Sequence, residues 1–193
     1  MSLSDCSAVS SHSFQLAAKR GFDILASAAA LVFLSPLFLL VSLAVKLDSR
    51  GPIFCVQLEY SYNRQKLFVL KFRCSTASHP ETRIGHYLIR SGLDQLPMLI
   101  NVLRGEMSIV GPRAYLAPPP LPVDERLSQI LRRSTLKAGL LGWEVRDSHT
   151  HTAGPKIRRQ IDDDVYFINN WSLLLDAKIL LMALFSRTSY VLH

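Results

Sequence analysis

The sequence predicts a membrane-associated α/β chain, and three observations lead there. An apolar stretch near the N-terminus runs for 22 residues without a charge and is interrupted by Ser35-Pro36; two short β-type runs follow; several later segments carry apolar residues at helical spacing. A chain of 193 residues holds one domain with a real core and is too short for two ordinary ones. Charged residues make up 19%, below the roughly 25% usual for soluble proteins. Hydrophobic residues reach 49%, and the mean hydropathy is +0.19. That composition excludes a disordered chain and points away from a freely soluble globule.

Residues 1–18, rich in Ser and Ala, read as a loose leader, and residues 19–193 as a single domain. The apolar stretch, Ile24 to Val45, would form a straight helix about 33 Å long, enough to cross a bilayer core. Its flanks carry Lys19 and Arg20 on one side and Lys46 and Arg50 on the other. Because Lys and Arg favour the cytoplasmic side, basic residues at both ends suit a helix that enters, turns and leaves on one face. Pro36 breaks or kinks a helix there, and the Ser35 hydroxyl is placed to bond a carbonyl that the proline frees. Charge and proline alone leave two readings open, a re-entrant hairpin over about 22–47 and a kinked helix that spans.

Gly51-Pro52 marks a turn, after which Ile53–Gln57 and Leu67–Phe72 read as strands joined by the polar turn Tyr60–Lys66. Leu93 to Leu103 has a helical period, with Asp94 as its cap and Pro97 in its first turns. Ala117–Pro122 holds four prolines in six residues and is extended or irregular. A basic stretch follows from Arg126 to Arg159, and Asn170–Phe185 reads as a last helix, apolar around much of its circumference and suited to a core or a membrane interface.

The net charge of +7 favours anionic partners: nucleic acid, phospholipid headgroups or phosphorylated substrates. Cys6, Cys55 and Cys74 are odd in number and widely spaced, as in a reduced, cytosol-facing chain. His149-Thr150-His151 has no matching ligand pair, and Asp162-Asp163-Asp164 reads mainly as a charged lead into a helix. The informative stretch runs from Arg83 to Arg113, where Arg83, Arg90, Arg104 and Arg113 accompany Asp94 near a helix start. Arginine forks and a helix N-terminus complement phosphate oxygens, and a carboxylate in such a site can attack a phosphoryl group. The same residues equally allow a helix-capping Asp94 beside arginines that bind lipid headgroups.

Gly92-Leu93-Asp94-Gln95-Leu96-Pro97 and Asn101 through Gly111-Pro112-Arg113 closely resemble the bacterial sugar transferase family, the monotopic phosphoglycosyl transferases that start exopolysaccharides on polyprenyl phosphate. Lys19-Arg20-Gly21-Phe22-Asp23, Ser35-Pro36, Gly51-Pro52-Ile53-Phe54, Lys71-Phe72-Arg73 and Asn170-Trp171-Ser172 to Asp176 follow in family order, so the resemblance covers about residues 19–185. It implies a re-entrant membrane helix hairpin, with the remainder, about 51–193, on the cytoplasmic face of the bacterial inner membrane. The implied reaction transfers a phosphosugar from a UDP-sugar to polyprenyl phosphate and releases UMP. Asp94 is the implied nucleophile, and Arg73, Arg90 and Arg113 are the implied phosphate or substrate ligands.

Where the family pairs that Asp with a Glu for Mg²⁺, this chain has Gln95, a neutral oxygen donor for a hard cation, with Glu106 as a further candidate ligand. Two more segments depart from the family pattern. Its Q-x-R-x-G reads here Gln57-Leu58-Glu59-Tyr60-Ser61, and its P-G-[IL]-T-G reads Ala138-Gly139-Leu140-Leu141-Gly142. The expected partners are inner-leaflet lipid, polyprenyl phosphate, a UDP-sugar and a second copy or a related transferase, as a homodimer or heterodimer, and no nucleic acid. The alternative expectation is a degenerate homologue that binds an active transferase.

Overall fold

A computed structural model describes residues 3–61, 63–76, 82–116, 136–142 and 156–185; side chains are described from Gln15 in the first helix and over 163–183 at the C-terminal end. Helix α1 runs from Leu3 to Phe33, so residues 3–18 are not a loose leader. The stretch holds neither Gly nor Pro before Gly21, and its alanines are the best helix formers. Helix α2, Ser35–Asp48, takes Pro36 into its first turn, where the missing N–H would have had no intrahelical partner. The break falls at Leu34, and the Ser35 hydroxyl donates to the Val32 carbonyl at 2.8 Å, as the sequence led us to expect. The two helices bend by 63°. Among the described residues no single helix is long and apolar enough to cross a membrane; the bent pair meets that test by length and composition.

Strand β1 (Phe54–Ser61) pairs antiparallel with β2 (Lys66–Phe72), from Phe54 opposite Phe72 to Tyr60 opposite Lys66. The strand therefore continues well past Gln57, through residues assigned to the turn. Within that extension the buried Glu59 carboxylate accepts a hydrogen bond from Lys71 Nζ at 2.7 Å, which satisfies its charge on the strand. On the other edge of β1 lies β4 (Ala114–Tyr115), with Tyr60 opposite Tyr115. A second sheet joins β3 (Ser108–Val110) and β5 (Gly139–Leu141) in parallel. Its end is very tight: a Cβ on Gly139 would lie 2.1 Å from the Gly111 nitrogen, and one on Gly111 would lie 2.4 Å from the Lys137 carbonyl oxygen. Only glycine fits that approach.

Helix α3 (Arg83–Ser91) is capped by Thr82, whose hydroxyl accepts from the Gly85 N–H, and stops at left-handed Gly92, φ 71°. The single helix expected over Leu93–Leu103 is divided. Leu93–Gln95 forms one 3₁₀ turn, Pro97 caps, and α4 occupies Met98–Arg104. Asp94 makes no side-chain cap, since proline starts α4 three residues beyond it. Helices α5 (Lys156–Asn169) and α6 (Leu173–Phe185) complete the described chain, α6 starting three residues later than expected. Ala117–Pro122 and the His149-Thr150-His151 motif lie outside the described residues.

One core gathers Val69, Val102, Met107, Val110, Phe167 and Ile179 between the sheets and helices α4 to α6. A second packs Val41 and Val45 of α2 on Phe72 and Leu88, with the Phe38 and Phe72 rings 4.9 Å apart. Lys19 and Arg20, expected as flanking topological charges, point inward instead. Lys19 Nζ donates to the Val110 carbonyl at 2.9 Å and to Asp176 at 2.5 Å. Arg20 donates to the carbonyls of Val102 and Leu103 at the end of α4. Asp23 accepts from the Ser108 hydroxyl and the Ile109 N–H. At the far end of the bent pair, Arg73 donates to the carbonyls of Ser49 and Arg50, and Asp48 accepts from the Ile84 N–H. Both ends of the charge-free stretch are thus tied to one body.

Candidate active site

Asp94 sits on the 3₁₀ turn between left-handed Gly92 and Pro97, half-buried at the edge of the first sheet. The helix-breaking glycine and the cap proline leave room for one tight turn and nothing longer. Burial pushes the Asp94 carboxyl above its ordinary range, the Lys71 ammonium pulls it back, and the Glu59 carboxylate pushes it up again. Lys71 and Glu59 form an ion pair at 2.7 Å with side chains 15% and 7% exposed, so its charges are little screened by water. Cys55 projects from the same face as its register partner Lys71, and the Asp94 charge reaches its thiol. One anion, one cation–carboxylate pair and one thiol therefore share the face of β1 and β2 next to the turn.

Arg73 borders this group, but its two Nη atoms hold Ser49 and Arg50, and a Cβ on Gly51 would lie 1.9 Å from Nη1. Its buried Nε has no hydrogen-bond partner. The guanidinium is thus spent on fastening the segment that follows α2. Arg90 is exposed in the last turn of α3, two residues before Gly92. Arg83 and Arg104 stand exposed at the outer ends of α3 and α4, away from the turn. Gln95 is half-buried beside Asp94. Glu106 follows α4, and its carboxylate accepts from Nδ2 of Asn101 in the middle of that helix, the same side chain that bonds the backbone of Phe68 and Leu70 on β2.

Arg113 forms a second group. It follows Gly111-Pro112 between β3 and β4, and its backbone N–H donates to Asp164 Oδ1 at 3.1 Å. The Tyr115 hydroxyl donates to Asp164 Oδ2 at 2.5 Å. Burial lowers the Arg113 guanidinium pKa, opposed by Asp164, Tyr115 and Asp163. Because Tyr115 lies opposite Tyr60, the neighbour of Glu59, the two groups sit on adjacent strands of one sheet. The segment Ala138 to Gly142 also closes here: a Cβ on Gly142 would lie 3.3 Å from Arg113 Cγ.

Glu59, Lys71, Tyr115 and Asp164 were not singled out from the sequence as site residues. A period-two reading of Cys55, Gln57, Glu59 and Ser61 marks the polar face of β1 and would have found Glu59. Asp164 owes its place to tertiary contacts alone. The described residues hold no group of three or more His, Cys, Asp or Glu able to bind a metal. On the turn itself Asp94 and Gln95 are the side chains with oxygen donors, one carboxylate and one neutral amide.

A model of the bacterial sugar transferase family matches residues 14–189. The chain is 35% identical over 196 residues to an undecaprenyl-phosphate glucose phosphotransferase of Komagataeibacter xylinus, covering 89% of this chain and 37% of the relative. It is 34% identical to an exopolysaccharide production protein PSS of Rhizobium leguminosarum bv. phaseoli, covering 86% of this chain and 92% of the relative. It is 31% identical to a UDP-N-acetylgalactosamine-undecaprenyl-phosphate N-acetylgalactosaminephosphotransferase of Aeromonas hydrophila, covering 83% and 41%. The chain therefore spans about two fifths of the longer relatives and nearly all of the shorter one.

Proposed function

The chain belongs to the bacterial sugar transferase family, and we propose that it transfers a phosphosugar from a UDP-sugar to polyprenyl phosphate, through a covalent intermediate on Asp94. The observation that carries this reading is the half-buried Asp94, held on a tight turn with Lys71 against it and free of any helix-capping role. An Asp94 carboxylate oxygen attacks the β-phosphorus of the UDP-sugar, the phosphoanhydride bond breaks, and UMP leaves with the bonding electrons. An oxygen of polyprenyl phosphate then attacks the acyl phosphate, giving the polyprenyl diphosphate sugar and restoring the carboxylate. Lys71 limits repulsion between the Asp94 carboxylate and the approaching anion, and Arg113 is a donor for phosphate oxygens, while Arg73 acts by holding Ser49 and Arg50 beside the site. Mg²⁺, held by Asp94, Gln95 and the donor's own phosphates, would neutralise charge on the diphosphate. The product starts a glycan such as an exopolysaccharide.

Purified protein given UDP-glucose or UDP-N-acetylgalactosamine, polyprenyl phosphate and Mg²⁺ should release UMP. Gln95→Glu should lower the Mg²⁺ needed for half-maximal rate by about tenfold, equivalent to about 1.4 kcal/mol, because an anionic ligand replaces a neutral one. If neither wild type nor Gln95→Glu releases UMP with any donor, the catalytic reading falls and the non-catalytic partner replaces it.

The same reading places the bent pair α1–α2 in the cytoplasmic leaflet as a re-entrant hairpin. Its support is the attachment of both ends to one body, through Lys19, Arg20 and Asp23 at one end and Arg73 and Asp48 at the other. Between these ties Leu25, Val32, Phe33 and Leu39 are each more than 70% exposed, a surface that lipid would cover. Cysteines placed at Gln15 and Arg50 in a background lacking native thiols should both react only from the cytoplasmic side. Labelling of either from the outside would establish a span.

A further inference from the structure

The acidic triplet Asp162-Asp163-Asp164 has no part in the mechanism above, yet Asp164 is only 3% exposed and uses both carboxylate oxygens. It reaches from α5 across the joint between the two sheets. One oxygen takes the Arg113 N–H at the end of the Gly111-Pro112 turn, and the other takes the Tyr115 hydroxyl on β4. That turn is already pinned from behind by the approach of Gly139 to Gly111, which leaves Asp164 to set its open side. We propose that Asp164 is a positioning residue for the donor nucleotide: its carboxylate fixes the Arg113 turn and Tyr115, and its charge orients the Arg113 guanidinium toward the phosphates of the UDP-sugar. The proposal rests on the transferase reading.

The charge is kept against the interest of the fold. Burial pushes the Asp164 carboxyl up to about 6, offset in part by the Tyr115 hydroxyl, the Arg113 N–H and the Arg113 guanidinium, while Asp163 on its own helix pushes it up. A raised carboxyl means that the folded chain binds a proton more tightly than the unfolded one between the ordinary value of 3.8 and about 6. Stability from this group therefore falls as pH rises through that window, and ionised Asp164 costs stability at pH 7. A residue that served only the fold would gain by being neutral.

The test is Asp164→Asn in the full chain, with UDP-glucose as the probe, since its diphosphate diester keeps its charge between pH 5.5 and 7.5. Asparagine retains an acceptor for the Arg113 N–H and a polar partner for Tyr115 but removes the charge. Calorimetric Kd for UDP-glucose should rise about tenfold at pH 7.5, the low end for loss of a charge-assisted contact, with the melting temperature unchanged or raised and kcat at saturation little changed. Wild-type Kd should rise as pH falls to 5.5, and the variant's should stay flat. Tyr115→Phe, which keeps the charge and removes one hydrogen bond, should shift Kd in the same direction by less, and it decides the matter if Asp164→Asn does not fold. Unchanged Kd and pH dependence in a wild type that turns over would overturn this proposal alone. A wild type that neither binds UDP-glucose nor releases UMP would remove the transferase reading as well.

Discussion

Replacing Asp94 with Asn should reduce UMP release by at least about a thousandfold, the scale of losing a covalent nucleophile. The substitution is nearly isosteric, and the carboxylate caps no helix, so α3, α4 and the turn between them have no reason to move. What is lost is the anionic oxygen that forms the acyl phosphate, because a neutral amide oxygen is a far weaker nucleophile. The intermediate supplies a second readout. With donor labelled in the sugar phosphate and acceptor withheld, acid-quenched wild type should carry label that hydroxylamine releases, and Asp94→Asn should carry none. A variant that keeps more than a tenth of the wild-type rate would remove Asp94 from the chemistry and leave Lys71 and Glu59 as the pair to explain.

Local constraints were legible in the sequence, and tertiary ones were not. Ser35-Pro36 announced the break between α1 and α2 because proline's missing N–H acts on its own turn, and the Ser35 bond to Val32 followed from the same local geometry. The apolar period from Leu93 to Leu103 was real, but a period cannot show that Pro97 starts a helix instead of riding in its first turns. That one residue separates Asp94 from α4 and leaves it on a turn. Glu59 was not singled out because its partner, Lys71, lies on the next strand. Arg113 was found through its motif, while Asp164, which holds it, is 51 residues away in the chain and joins it only in the fold. Lys19 and Arg20 misled most: charges beside an apolar stretch read as topological markers, whereas their partners are α4, β3 and α6. As charges they left a re-entrant hairpin and a spanning helix both open, and in the fold they tie α1 to the body that also holds the end of α2.

Lys19→Met should destabilise the fold by about 3–5 kcal/mol, the cost of leaving a buried charge without its partner. Asp176 accepts from Lys19 at 2.5 Å and from Trp171 Nε1 at 3.2 Å, and its Oδ1 is buried with no partner. Without the ammonium, that carboxylate keeps one indole bond and no counter-charge, and the Val110 carbonyl loses its donor too. Burial already pushes the Asp176 carboxyl up while Lys19 pulls it down. Removing Lys19 therefore raises the pH at which Asp176 takes up a proton, and the penalty should shrink as pH is lowered. Adding Asp176→Leu to Lys19→Met removes both charges and should restore most of the lost stability, because an apolar pair of similar volume needs no counter-ion. Urea unfolding of the detergent-solubilised chain measures all three proteins. A single-variant cost below about 1 kcal/mol, the range of an exposed pair, would mean that water reaches the Lys19–Asp176 contact. The joint that ties α1 to β3 and α6 would then be looser than its geometry, and the attachment of α1 to the body would rest on Arg20 and Asp23 instead.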